Sequence, residues 1–160
     1  MTDPFDAIHS LLKSDQSAEA LKSLYDSDAD RILPPYDQDL NLAWLMVADI
    51  CFKQALFECA KTAFERSFLE RPDDVDALLG FANACAELRH FEAAQHALGL
   101  ALEENPLDDR VLYNLGNVLF DVERYEDAIT FYESVIAIGS DLASLAQDNL
   151  RLAVSHMRAR

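Results

Sequence analysis

Residues 41 to 142 repeat at the interval that separates Pro72 from Pro106. Few folds accommodate a period of about 34 residues. The same interval lines up Ala60, Ala94 and Ala128, then Ala48, Ala82 and Gly116, then Phe64, Leu98 and Tyr132. Small and large apolar positions recurring at this spacing predict stacked helix–turn–helix units, each unable to bury its apolar face alone.

The repeats read Trp44-x2-Val47-Ala48-x2-Cys51 … Ala60-x3-Phe64 … Pro72, then Leu78-x2-Phe81-Ala82-x2-Cys85 … Ala94-x3-Leu98 … Pro106. The third is Leu112-x2-Leu115-Gly116-x2-Leu119 … Ala128-x3-Tyr132, with Gly139-Ser140 in place of the proline. This grammar closely resembles the tetratricopeptide repeat (TPR) family, and Leu112 to Ile138 is its clearest copy. Cys51, Cys85 and Leu119 depart from it, standing where the family prefers tyrosine. The resemblance implies an all-α TPR solenoid of three helix–turn–helix repeats, over 41–74, 75–108 and 109–142. A helical extension with an acidic connector would fill 1–40, and a capping helix 143–160.

The grammar has a physical basis. Two antiparallel helices that cross closely need Ala or Gly where their backbones approach, as expected for Ala48 and Ala60, Ala82 and Ala94, and Gly116 and Ala128. Overfilling such a contact costs about 1–3 kcal/mol. Trp44, Phe64, Phe81 and Tyr132 are expected to fill the space between successive helices. Pro72 and Pro106 end each second helix. Asp73, Asp74, Asp108 and Asp109 then suit the positive end of the next helix dipole.

Charge narrows the possible partners. The formal net charge is −16, with 3 basic and 9 acidic groups in residues 1–40 and 7 against 18 in residues 41–140. Only the last twenty residues lean positive, through Arg151, Arg158 and Arg160. Such a field disfavours nucleic acid and anionic membrane and suits basic or amphipathic partners. No apolar run approaches the roughly 20 residues of a membrane span, so no membrane insertion is expected. The N-terminus lacks a basic region ahead of an apolar one, which makes the cytoplasm the expected compartment.

Residues with the potential for chemistry are scattered. Cys51, Cys59 and Cys85 lack CxxC spacing and are expected to be buried thiols. His9, His90, His96 and His156 form no metal-ligand pattern. Asp26-x-Asp28-x-Asp30 imitates the start of a calcium loop, but Arg31 stands where the turn needs Gly, and Asp37 where a bidentate Glu is expected. A solvated connector, stiffened by Pro34 and Pro35, accounts for that segment. No phosphate loop, HExxH or strand–turn–helix nucleophile is present, because no strand is expected anywhere. The expectation is a non-enzyme with no metal and no cofactor.

Function then belongs to a surface. By the family resemblance, the first helix of each repeat lines a concave face. The expected partner-binding residues are Leu45, Asp49 and Phe52 from the first repeat, Leu79 and Asn83 from the second, and Arg110, Tyr113, Asn117 and Phe120 from the third, with Arg110 as polar anchor. Leu42, Lys53, Asp76, Ala86, Glu87 and Asp121 share the face. This mixture suits an extended or helical protein segment with apolar anchors. The basic clamp by which TPR co-chaperones hold heat-shock carboxylates does not carry over. Its positions here are Leu45, Asp49, Gly80, Arg110 and Asn114, and a carboxylate opposite Asp49 would be unpaired.

The flanks remain open to several roles. Phe5, Ile8 and Leu12, then Leu21, Leu24 and Tyr25, predict amphipathic helices over 3–13 and 16–31. These either cap the first repeat, covering Leu42, Leu45 and Phe52, or pair two copies as a homodimer. Residues 141–157 predict a helix that closes the last repeat, with Leu142, Leu145, Ala146, Asn149, Leu152 and Ala153 on one face. The layout is similar to the TPR chaperones of bacterial type III secretion, which hold translocator subunits before export. The competing reading is a scaffold or adaptor that docks through its flanks or convex face.

Overall fold

The computed structural model describes residues 3–159. The chain divides into two compact units, Met1–Ala84 and Cys85–Arg160, with the boundary inside one helix rather than between repeats. The N-terminal unit runs α1 (Phe5–Lys13), α2 (Ser17–Leu24), a strand pair β1 (Tyr25–Asp26) and β2 (Arg31–Ile32), a 3-10 turn at Tyr36–Gln38, α3 (Leu40–Lys53), α4 (Phe57–Glu70) and the first part of α5 (Val75–Glu87). The C-terminal unit holds the end of α5, then α6 (Phe91–Glu104), α7 (Asp109–Asp121), α8 (Tyr125–Ile138) and α9 (Ala143–Arg158). The expected all-α architecture is therefore present.

Two details correct the sequence reading of residues 16–31. The helix stops at Leu24, and an antiparallel pair follows where no strand was expected, Tyr25 opposite Ile32 and Asp26 opposite Arg31. Tyr25 is extended, with φ −136° and ψ 128°. The acids explain the break. Asp26 Oδ1 accepts from the backbone N–H groups of Asp28 and Ala29, both at 3.1 Å, closing a tight turn that competes with helix. Asp30 lies in the left-handed region at φ 49°. Among the described residues no cluster of His, Cys, Asp or Glu could hold a metal ion.

The helix–turn–helix turn itself recurs four times among the described residues. Asp15, Ala55, Arg89 and Glu123 all adopt the left-handed conformation, with φ between 57° and 62°. In each case the next backbone N–H closes on a carbonyl five residues back: Gln16 to Leu11, Leu56 to Cys51, His90 to Cys85 and Arg124 to Leu119, at 2.8–2.9 Å. Five residues beyond each turn stands a fully buried alanine: Ala20, Ala60, Ala94 and Ala128. The pair α1–α2 is thus a shortened unit built on the same turn. The sequence hid it because the β1–β2 insertion sets Ala20 further from Ala60 than Ala60 is from Ala94.

Packing follows the small–large grammar. Ala48, Ala60, Ala82, Ala94 and Ala128 are buried, as are Trp44, Phe64, Leu98 and Tyr132. Two glycines are required sterically. A Cβ on Gly80 would overlap the Phe64 ring, and one on Gly116 would lie 2.7 Å from the Tyr132 ring. Asp39, Asp74 and Asp108 cap helix N-termini, accepting from Leu42, Ala77, and both Arg110 and Val111. Gly139, at φ 74°, caps α8 where the third repeat lacks its proline.

A buried polar knot joins three elements of the N-terminal unit. The Asn41 amide donates to Ser67 O, Ser67 Oγ and Asp74 Oδ2, and Ser67 Oγ donates back to Asn41 O at 2.8 Å. The cysteine expectation needs correction. Cys59 is exposed rather than buried, and the structure joins it to Cys51 as a disulfide across the α3–α4 turn, with Cα atoms 6.0 Å apart. The helical turn brings the two within bridging range, which linear spacing does not reveal. Cys85 is buried and lies outside that bridge.

Candidate protein-interaction face

The expected site residues lie outside the core. Leu45, Phe52, Leu79, Asn83, Tyr113, Asn117 and Phe120 are half-buried, while Asp49 and Arg110 are exposed. They fall on one register of successive first helices: Leu45, Leu79 and Tyr113 are one repeat length apart, as are Asp49, Asn83 and Asn117. The two units nevertheless treat this face differently.

In the N-terminal unit, Leu42, Leu45 and Phe52 pack against the same core cluster that takes in Phe5, Ile8 and Leu24. All three keep partial exposure. Phe52 sits edge-on to Phe57 at 5.3 Å between ring centroids. Asp49 reaches solvent, yet the protein crowding around it raises its carboxyl above the ordinary value; Lys53 opposes that shift and Asp76 adds to it.

In the C-terminal unit, α9 engages the same register. Asn149 Nδ2 donates to the Tyr113 hydroxyl and to Asn117 Oδ1, both at 3.0 Å, and the Tyr132 hydroxyl donates to Asn117 Oδ1 at 2.9 Å. Burial pushes the Tyr132 hydroxyl well above the ordinary phenol range. Phe120, Tyr125 and His156 form a three-ring cluster, with the Phe120 centroid 5.2 Å from Tyr125 and 5.4 Å from His156. A cavity of about 310 Å³ remains, lined by Asn117, Phe120, Asp121, Tyr132, Asn149 and Leu152. Arg110 is not a ready anion anchor. Its guanidinium grips Asp108 through Nε and Nη2 at 3.1 and 2.8 Å and holds that carboxyl below the usual range.

Sequence reasoning assigned Asn149 and His156 no binding role. One signal was legible: Asn149 lies one repeat length after Leu115 and two after Phe81, a polar residue in a slot the repeats fill with apolar ones. Leu145 and Leu152, expected on the buried face of α9, are about half exposed, and Ala146 and Ala153 carry the packing instead. A second cavity, of about 340 Å³, was not anticipated. It lies in the N-terminal unit among Tyr25, Trp44, Glu58, Cys59, Thr62 and Arg66. There the Arg66 guanidinium stacks 4.6 Å over Trp44 and pairs with Asp30, which also accepts from the Tyr25 hydroxyl at 2.7 Å.

The geometry agrees with the comparisons to known proteins. Residues 79–143 match the family model for the tetratricopeptide repeat. Solved structures share the fold at low identity. MamA superposes with a TM-score of 0.73 and 16% identity, covering 99% of this chain and 97% of that one. The first TPR of Spaghetti (RPAP3), bound to the HSP90 peptide SRMEEVD, gives 0.69 and 19%, covering 84% and 98%. The TPR2B domain of yeast Sti1, in a pHsp70 complex, gives 0.70 and 16%, covering 72% and 97%. No curated protein matches the chain in sequence. Residues 79–143 carry tetratricopeptide repeats, and the chain has the fold of TPR proteins. Among the described residues no helix is long and apolar enough to cross a membrane.

Proposed function

We propose that this chain is a non-catalytic protein-interaction module that works in the cytoplasm, holding an extended or helical segment of a partner against the first helices of its repeats at 41–74, 75–108 and 109–142. The reading rests chiefly on one observation: in the N-terminal unit half-buried Leu45 and Leu79 recur at the same register of α3 and α5, with polar Asp49 and Asn83 one helical turn on. A row of apolar anchors interleaved with an amide and an acid is what a peptide with apolar side chains and unpaired backbone groups requires. The solved structures of similar fold with bound Hsp70 or HSP90 partners support the fold's suitability for this work.

The acidic face argues against a carboxylate-bearing partner of that kind, and Arg110, already committed to Asp108, does not offset it. Within this reading, a chaperone that shields an apolar segment of a secreted client is the preferred form. An adaptor is the second reading, favoured by the exposure of Leu145 and Leu152 on α9. Affinity capture with wild type, Leu79→Asp and Leu145→Asp separates them. An aggregation-prone client lost only with Leu79→Asp supports the chaperone. A folded complex lost only with Leu145→Asp supports the adaptor and removes the concave site.

A further inference from the structure

The bond between Cys51 and Cys59 joins two sulfurs in unlike settings. Cys51 lies in the last turn of α3 and is fully buried. Cys59 lies in the first turn of α4, is exposed, and lines the cavity that it shares with Trp44, Thr62 and Arg66. No side chain caps the start of α4, so its first N–H groups leave a positive field that favours a thiolate at Cys59. Glu58, the acid next to it, is paired with Lys61 at 2.7 Å. The second repeat supplies a contrast. Cys85 stands one repeat length after Cys51 and is buried in the same way, but Ala93 stands where a second Cys59 would be.

We propose that Cys51 and Cys59 form a reversible redox couple that responds to hydroperoxides, with Cys59 as the reacting thiol and Cys51 as the thiol that resolves it. In the reduced chain the Cys59 thiolate attacks the O–O bond of a hydroperoxide. An S–O bond forms at Cys59, the O–O bond breaks, and the departing alkoxide or hydroxide takes up a proton, leaving a sulfenic acid. Cys51 then attacks the Cys59 sulfur. The S–S bond forms, the S–O bond breaks, and the departing hydroxyl leaves as water with the Cys51 proton. Two electrons pass in all from the two sulfurs to the peroxide. A dithiol reverses the bond by attacking the exposed Cys59 sulfur, since Cys51 is shut off from solvent. Cys51 leaves and is protonated, and the second thiol of the reductant then displaces Cys59 as the reductant closes to its own disulfide. In a reducing compartment such a bond forms on exposure to oxidant rather than persisting.

The test uses the full chain, reduced with a phosphine that is then removed, and treated with one equivalent of hydrogen peroxide. Dimedone, which traps sulfenic acids, is added to a parallel sample. Mass spectrometry of proteolytic peptides locates the products in wild type, Cys51→Ala and Cys59→Ala. Ala93 shows that alanine fits the register of Cys59, and circular dichroism checks that each variant folds. Wild type should lose two hydrogens, form the Cys51–Cys59 bond, and recover both thiols with dithiothreitol while folded. Cys51→Ala should hold a dimedone adduct on Cys59, and Cys59→Ala should lose at least about tenfold in oxidation rate. Cys85, buried like Cys51, should stay reduced. A bond that resists dithiothreitol in the folded chain is a fixed cross-link and overturns the proposal. So does an adduct on Cys51 or Cys85 with Cys59 untouched, or a wild type that stays reduced under peroxide. The wild-type peptides decide the matter even where a variant fails to fold, and no outcome bears on the concave groove.

Discussion

In the C-terminal unit, Tyr113, Asn117 and Phe120 are engaged by Asn149 and His156 of α9. In the N-terminal unit no comparable helix among the described residues is laid on Leu45, Asp49 and Leu79, which stay partly or fully exposed. Both units are built from the same turn and the same small–large pairs. The difference lies in how each is closed. A shortened helical pair and a two-stranded insertion close the first, and a single helix closes the second. α9 starts one repeat length after α7 and two after α5, so it occupies the place of the next repeat's first helix and meets the register that faces it. The repeat grammar therefore decides which side chains face outward, and the closing element decides which of them are available.

The comparison can be broken most severely at the large members of the pairs. Phe64→Ala in the N-terminal unit and Tyr132→Ala in the C-terminal unit, both from buried positions, should each lower stability by about 3–5 kcal/mol in urea unfolding. A cost below about 1 kcal/mol for either would show that the two positions are not equivalent in the folded chain. The glycines facing them sharpen the same point. Gly80→Ala and Gly116→Ala should destabilise by about 1–3 kcal/mol through overpacking. Gly99→Ala, with nothing within 4 Å of the new methyl, should instead stabilise by up to about 1 kcal/mol.

The closure of the second unit rests on Asn149. Asn149→Ala removes the donor to Tyr113 and Asn117 and should cost about 1–2 kcal/mol. Hydrogen exchange should rise in α9 while α3 and α4 keep their protection; equal loss in both units would refute a local role. The smallest effect is expected at the β1–β2 latch. Arg66 first, and Tyr25 second, hold the Asp30 carboxyl at a pKa of about 2. A depressed carboxylate contributes its stabilisation above its unfolded value near 4 and loses it as pH falls through the folded value. Trp44 emission, sensitive to the stacked Arg66, should hold constant down to about pH 4 and change between there and about pH 2. In Asp30→Asn that transition should be absent.

Much of the fold was legible in the amino-acid order. Ala60, Ala94 and Ala128 mark the close crossings because only small side chains let two backbones approach, so their spacing reports the period directly. Ala20 belongs to the same series but is not legible as a member. The β1–β2 insertion displaces it, and a period is read only where it is kept. Asp26 closes a turn within a segment that hydrophobic spacing alone extended as helix to residue 31, because a side chain that bonds its own backbone competes with the helix. The Cys51–Cys59 pairing was hidden for another reason: separation along the chain says nothing of distance until a turn folds one helix against the next.

By itself, the sequence determined the helical repeat, its turn points, its core and the register of the outward-facing residues, because each depends on side-chain size and spacing over a few helical turns. The tertiary structure alone decided that Asn149 meets Tyr113 and Asn117, and that the first unit keeps Leu45, Asp49 and Leu79 partly or fully exposed. Those outcomes depend on contacts between residues as much as 36 positions apart, where packing and hydrogen-bond geometry, rather than local preference, choose the partners.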